Sequence, residues 1–275
     1  MLAHNYKEVF SDLNPIAEQM VIETNALPAE MQKWTAHINR LGAISQYIYY
    51  TALVKQYISD ESAYILDWGA CYGQVAHLLN YYFKNVHCYD PLPDDQLALL
   101  SGFDPYCDDF KSLFDIPECH RFYGVGNATI INRSDASYDA VISSGVFEHV
   151  REDYGGCSEG AALREVYRIL KPSGLFFIWN LPSSLGAVEL LNTALGRKVH
   201  TCTYFKREII ELLKSVGFEV VALDHHEFLN MMLRNLLGKI IGHNKAWRVD
   251  YILSKIPPFS IFAQHFTIVA KKSAH

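Results

Sequence analysis

The stretch ILDWGACYG, residues 65–73, sets an acid, Asp67, between an apolar run and a turn of small residues. Gly69 and Gly73 flank Ala70, Cys71 and Tyr72 there. In open α/β sheets a ligand binds beyond the carboxyl ends of the strands, and glycines in the first strand-to-helix turn let it approach the backbone. The stretch therefore predicts a cofactor turn. A dinucleotide would ask for G-x-G-x-x-G, which brings a pyrophosphate close to a helix start. Cys71 and Gln74 stand where the second and third glycines would be, so that pattern is not met.

Other residue types able to do chemistry are histidines. His149 sits in FEHV, directly after the apolar run YDAVISS; His200 lies in GRKVHTCTYF; His225 and His226 are adjacent. The adjacent pair has no accompanying carboxylate or third histidine at helical spacing, so no metal site is expected. The six cysteines (Cys71, Cys88, Cys107, Cys119, Cys157, Cys202) are scattered without a C-x-x-C pair, and read as reduced and structural.

The elements that must position these groups follow from periodicity. Residues 1–60 read as helical, and LPAEMQKWTAHINRL places Pro28 early and Met31, Trp34, Ile38 and Leu41 at helical spacing. From Ala63 the pattern changes. YILDW, NVHCYD, RFYGV, YDAVISS, GLFFIWN and FEVVALD read as strands, and GQVAHLLNYYF, GAALREVYRIL and KREIIELLKSV as the helices between them. Such alternation predicts a parallel sheet covered on both faces. SIFAQHFTIVAKK adds one more strand after an inserted helix. The expected organisation is a helical cap over 1–60 and one α/β domain over 61–275, with a helical insert at about 226–256.

These pieces, in order from about residue 62 to 223, resemble the class I S-adenosylmethionine-dependent methyltransferases. Asp67-Trp68-Gly69-Ala70-Cys71-Tyr72-Gly73 is similar to their first motif, D-x-G-x-G-x-G, with Cys71 in place of the middle glycine. NVHCYD looks like their second strand, YGVGNATI like the turn bordering the adenine, and YDAVISSGVFEHV like the fourth strand and its loop. The resemblance implies a Rossmann-like class I fold: a mostly parallel central sheet flanked by helices, with N-terminal helical additions and a helical insert before the last strand. It implies S-adenosylmethionine as cofactor, held by Asp67, Gly69, Ala70, Cys71, Tyr72, Gly73, Asp90, Pro91, Asn127, Ala128, Ser144 and Gly145. Asp90 would take both ribose hydroxyls. Asp67 would complement the cationic end of the cofactor, where it would repel a phosphate; alternatively it caps the turn by accepting backbone N–H groups. Both can hold at once.

Methyl transfer asks for alignment of the attacking atom and, for a hydroxyl acceptor, for a base. The resemblance places His149 and His200 on the acceptor side, and histidine is suited to proton removal near neutral pH. Glu148 reads as a structural acceptor. The expected activity is methylation, at oxygen, of a small-molecule, glycan or lipid-intermediate acceptor. The other reading is a catalytically silent protein of the same fold that only binds.

Composition bounds partners. The chain carries net charge −6, which with the absence of an N-P-P-Y type motif argues against a nucleic-acid partner. From His225 to His275, seven basic and two acidic residues give +5, against −11 for the rest. No apolar run spans a bilayer, and MLAHNYKEVF lacks a secretory pattern, so a cytoplasmic enzyme is expected. FLNMMLRNLLGKIIG places Leu229, Met232, Leu233, Leu236, Leu237 and Ile240 along one helical face. The ordinary meaning is a helix packed on its own domain; a greasy acceptor pocket and peripheral contact with an anionic membrane are sharper alternatives.

Overall fold

The computed structural model describes residues 4–27, 29–32, 35, 38–70, 72–92, 114, 121–125, 130–151, 159–197, 200 and 202–274. Seven strands are formed: β1 (Tyr64–Trp68), β2 (Asn85–Leu92), β3 (Arg121–Val125), β4 (Tyr138–Ser144), β5 (Leu170–Pro182), β6 (Phe218–His226) and β7 (His265–Lys272). They lie in one sheet in the order β3-β2-β1-β4-β5-β7-β6. All neighbours pair in parallel except β7, which runs antiparallel to both β5 and β6. The C-terminal edge of the parallel strands therefore also holds the end of β6 and the beginning of β7.

Helices flank the sheet: α1 (Tyr6–Ala26), α2 (Ala29–Gln32), α3 (Leu41–Tyr57), α4 (Gln74–Leu79), α5 (Glu159–Ile169), α6 (Ala187–Ala194), α7 (Lys206–Val216), α8 (Met231–Ile241) and α9 (His243–Leu253). Strand side chains alternate between faces. Ile65, Ile142, Phe177 and Trp179 join the aromatic and aliphatic side chains of α1, α3 and α4 in one core. Leu66, Trp68, Val141, Phe176 and Ile178 join α5 and α7 in the other. Buried on both faces, β1 and β4 need no polar alternation, which is why their sequences are nearly continuous apolar runs. α3 is buried from Gly42 to Val54.

The sequence expectation differs in two places. SIFAQ does not enter the last strand: Phe259–Phe262 form a 3-10 turn and pairing starts at His265. Pro257 and Pro258, just before that turn, have no N–H to give to a ladder.

The second difference is the insert helix α8, whose polarity is inverted. Arg234 and Gly238 are its buried residues, while Met232 is 78% and Ile240 74% exposed, with Leu233 and Leu236 also exposed. The ordinary reading of its apolar stripe as a core-facing stripe is therefore overturned. Two contacts explain the orientation. Arg234 finds buried carboxylates at Glu227 and Asp250. Small residues also allow close approach: a Cβ on Gly42 of α3 would stand 1.9 Å from Asn235 Oδ1, and one on Gly238 would stand 2.3 Å from the His243 ring.

Candidate functional site

The glycine turn closes around β1 and β2. The N–H groups of Gly69 and Ala70 both donate to the Tyr89 carbonyl, at 2.7 and 3.2 Å, which ties the turn to the residue before Asp90. Gly69 has φ +78°, and a Cβ there would stand 2.3 Å from Val146 in the loop after β4. That position has room and backbone freedom for glycine alone. Gly73, at φ +81°, is the N-cap of α4 and donates to Ala70 O at 2.8 Å.

Asp67 is 1% exposed, and its Oδ2 accepts from the Ala76 N–H of α4 at 3.2 Å. The turn-capping reading of this acid is thus realised. Burial pushes its carboxyl up to about 7, the Ala76 N–H working in the opposite direction.

Ala70 and Tyr72 are buried beside it. At the end of β4, Gly145 takes φ +65° and donates to Trp179 O at 3.0 Å. Ser144 Oγ is buried with no hydrogen-bond partner among the described residues, as is Gln74 Oε1 at the start of α4. Asp90 and Pro91 lie at the end of β2, in register with Tyr123 and Gly124 of β3. Cys71, Asn127 and Ala128 lie outside the described residues.

The other half of the edge, from β4 to β6, collects titratable side chains. A 3-10 turn over Phe147–Arg151 follows β4, pinned in the core by Phe147 and Val150. It carries Glu148 inward and His149 to a half-buried position. Burial raises the Glu148 carboxyl, opposed by its own backbone N–H and by the nearby rings of His149, His265 and His200. Glu148 Oε2 has no hydrogen-bond partner among the described residues.

His149 and His200, which are far apart in sequence, thus both lie within electrostatic reach of one carboxyl. His200 Nδ1 meets Glu189 Oε1 of α6, and its ring lies 6.0 Å from that of His265. His265 Nδ1 in turn is 2.8 Å from Glu227 Oε2.

Beneath these lies a closed polar network. The Tyr50 hydroxyl donates to Asn180 Oδ1 and lies 2.7 Å from His226 Nε2. His226 Nδ1 is 3.0 Å from the Thr267 hydroxyl. With the Tyr50 proton committed to Asn180, the consistent tautomer carries hydrogen on Nε2 and accepts from Thr267 at Nδ1. Burial holds His226 well below the usual histidine range. Two non-glycine residues bordering this network, Asn180 (φ 57°) and Glu227 (φ 59°), take the left-handed conformation, a cost the surrounding contacts must hold in place.

The reasoning that set aside a metal does not survive the fold. Glu227, the next residue, and His265, the register partner of His226, supply the carboxylate and the further histidine. The three offer ligand atoms within 4.8 Å of one another. Strand pairing, not helical spacing, assembles them. Against ligation stand the hydrogen bonds on both nitrogens of His226 and the Arg234 guanidinium on Glu227.

Sequence reasoning missed Tyr50, Asn180, Glu189, Glu227 and His265. Glu227 alone carried a local signal, its adjacency to the histidine pair.

The methyltransferase domain family matches residues 37–223 of this chain. No curated protein matches the sequence. Among solved structures, the chain is similar to phosphoethanolamine N-methyltransferase 2 of Haemonchus contortus in complex with S-adenosyl-L-methionine: TM-score 0.55, 18% identity, covering 87% of this chain and 54% of that one. It is similar also to a SAM-dependent methyltransferase of Thermotoga maritima: TM-score 0.51, 14% identity, covering 92% and 99%. At these identities the likeness shows the fold. The family match spans the glycine turn, the β4 edge and α7, and by it the chain belongs to the methyltransferase domain family, as a class I S-adenosylmethionine-dependent methyltransferase.

Proposed function

We propose that the chain transfers the methyl group to an oxygen of a small-molecule, glycan or lipid-intermediate acceptor, with His149 removing the acceptor proton. The observation that carries this reading is that His149 follows Glu148 on the 3-10 turn one turn beyond the β4 end that adjoins the glycine turn, with His200 and His265, whose rings are 6.0 Å apart, within electrostatic reach of the same buried carboxyl.

The cofactor half suits the donor. The absent side chain at Gly69 lets Val146 of the loop after β4 pack on the glycine turn, which sets the end of β4 beside it, and the unpartnered Ser144 hydroxyl and Gln74 Oε1 leave polar atoms for a ligand. Asp67, kept neutral by burial below about pH 7, ionises more readily beside a cationic ligand and in that form would repel a phosphate. Asp67, Gly69, Ala70, Cys71, Tyr72 and Gly73, together with Asp90, Pro91, Asn127, Ala128, Ser144 and Gly145, are the residues proposed to hold it.

S-adenosylmethionine, when bound, supplies a methyl on a cationic sulfur. The remaining work belongs to the chain. The 3-10 turn, anchored in the core by Phe147 and Val150, places His149 just beyond β4, which favours the short, aligned approach that displacement at carbon requires. His149 accepts the hydroxyl proton as the oxygen attacks. His200, held by Glu189, is the second candidate base.

The test is radiolabel transfer from S-adenosylmethionine into extracts of the native host, run with wild type and His149→Ala at matched cofactor occupancy. Transfer by wild type into an alkali-stable, ether-type product, lost in the variant, is expected. A labelled amine product would overturn oxygen as the acceptor atom. Calorimetric binding of the cofactor with no transfer to any pool would favour the silent reading.

A further inference from the structure

Among the described residues, the exposed apolar surface is concentrated in two segments, 185–197 and 228–264. They hold sixteen of the twenty-two exposed large apolar side chains among the described residues. The first contains α6; the second contains α8, α9 and the 3-10 turn Phe259–Phe262. Both leave the same sheet edge, α6 after β5 and α8 after β6, and the second returns to that edge at β7. A groove of about 240 Å³ joins them, lined by Leu185, Phe205, Ile261 and Phe266 among others.

The exposed charges in these segments are of one sign. The exposed charged side chains are Arg197, Lys239, Lys245 and Arg248, and the two acids within them, Glu189 and Asp250, are buried. The whole chain carries −6. A surface that is apolar and cationic on a chain that is otherwise acidic fits one kind of partner.

We propose that this surface docks on a bilayer containing anionic phospholipid, with Met232, Leu236 and Ile240 of α8 entering the headgroup–acyl boundary and Lys239, Lys245 and Arg248 meeting the lipid charge. The inverted helix is the second observation that supports it. α8 spends its inward face on Arg234, held by Glu227 and Asp250, and on the close contacts at Gly238 and Asn235. Its apolar face is thereby committed outward. A second copy of the chain is the poorer occupant, because a two-fold contact would set these cations against themselves. No helix among the described residues is long and apolar enough to cross a membrane, so the contact is peripheral. If the proposed methyl transfer holds, the acceptor half of the cleft faces the bilayer and a lipid-borne acceptor reaches it there; the docking itself does not depend on that reading.

The experiment is co-sedimentation of the full chain with vesicles of phosphatidylcholine and with vesicles of equal parts phosphatidylcholine and phosphatidylglycerol, at low and high salt. Binding to the mixed vesicles that weakens in salt is expected, with little binding to phosphatidylcholine. Met232→Ser with Ile240→Ser, both at exposed positions, weakens it by at least about tenfold, and Lys239→Gln by about fivefold. Ile22→Ser, an exposed apolar side chain on α1 outside the two segments, leaves it unchanged. In Ile240→Trp the indole emission shifts to the blue on adding mixed vesicles, and in Ile22→Trp it does not. Equal binding to both vesicle types, or binding unaffected by the double substitution, overturns the proposal. So does a vesicle-free dimer that the double substitution dissolves, which would assign the face to a second copy, or capture by an acidic protein with no vesicle binding.

Discussion

The two halves of the sheet edge are built on different principles. In the proposed cofactor half, Asp67, Gly69, Ala70 and Gly73 lie within seven residues of chain and are satisfied by backbone groups alone: the acid caps α4 at Ala76, Gly73 donates to Ala70, and two amides share the Tyr89 carbonyl of β2. In the acceptor half, as proposed, Tyr50, Glu148, Asn180, Glu189, His200, Glu227 and His265 come from seven separate elements or loops, and charge holds much of it together. A local turn can be damaged one hydrogen bond at a time. A dispersed network fails when one buried charge loses its partner.

The largest expected effect tests the acceptor half for chemistry. His149→Ala should lower turnover by about 10² to 10⁴ while cofactor affinity measured by calorimetry stays close to wild type, since the imidazole acts on the acceptor side. A variant keeping half of the wild-type turnover at saturating substrates would remove His149 from the catalytic role, and His200→Ala would then be measured in the same way.

Next in size is the charge that holds the acceptor half. Arg234 is 2% exposed; burial works against its charge, and Glu227 and Asp250 more than offset it. Arg234→Leu strands two buried carboxylates and should cost about 3 to 5 kcal/mol in urea unfolding. Adding Glu227→Gln and Asp250→Asn should recover part of that loss. Equal loss in the single and triple variants would mean that the guanidinium matters for packing and not for charge.

The corresponding test in the cofactor half is comparable at its limit, smaller across the pH range that can be measured, and depends on pH. The folded-state pKa of Asp67 is raised by burial from 3.8 to about 7. The neutral form is therefore favoured by the fold, so its contribution to stability is full below pH about 4 and falls as pH rises through about 7. At about 1.4 kcal/mol per unit the loss is on the order of 4 kcal/mol at most. Asp67→Asn keeps an oxygen for the Ala76 N–H and removes the ionisation. The gap in Tm between variant and wild type should widen in the variant's favour from about pH 5 to about pH 8. A constant gap would show that Asp67 does not titrate across this range.

Smallest of all is the effect of chelation. His226 has both ring nitrogens engaged and Glu227 is paired with Arg234. Dialysis against a chelator should therefore change turnover by less than about twofold, the acceptor half working through hydrogen bonds and not through a bound ion. Activity lost on dialysis and restored by one divalent metal would turn His226, Glu227 and His265 into a ligand set.

Much of the molecule was legible in the sequence because its signals are short-range. Short apolar runs bounded by turn residues mark strands and a period of 3.6 marks helices, so the strands from YILDW to FEVVALD were readable, as was the glycine turn after the first of them. Three decisions belong to the tertiary structure. Strand pairing sets His265 opposite His226, and no spacing along the chain encodes that contact. The fold brings His200 and His265 within electrostatic reach of Glu148, which in sequence had only His149 beside it. The orientation of α8 went against its own stripe. Six apolar residues on one face predict burial of that face, since apolar area removed from water is the usual driving force. Here Glu227 and Asp250 were already buried on neighbouring elements, and leaving them without Arg234 would cost more than leaving Met232 and Ile240 in water. A sequence pattern records what each side chain prefers by itself; which preference yields is decided by the partners the fold brings within reach.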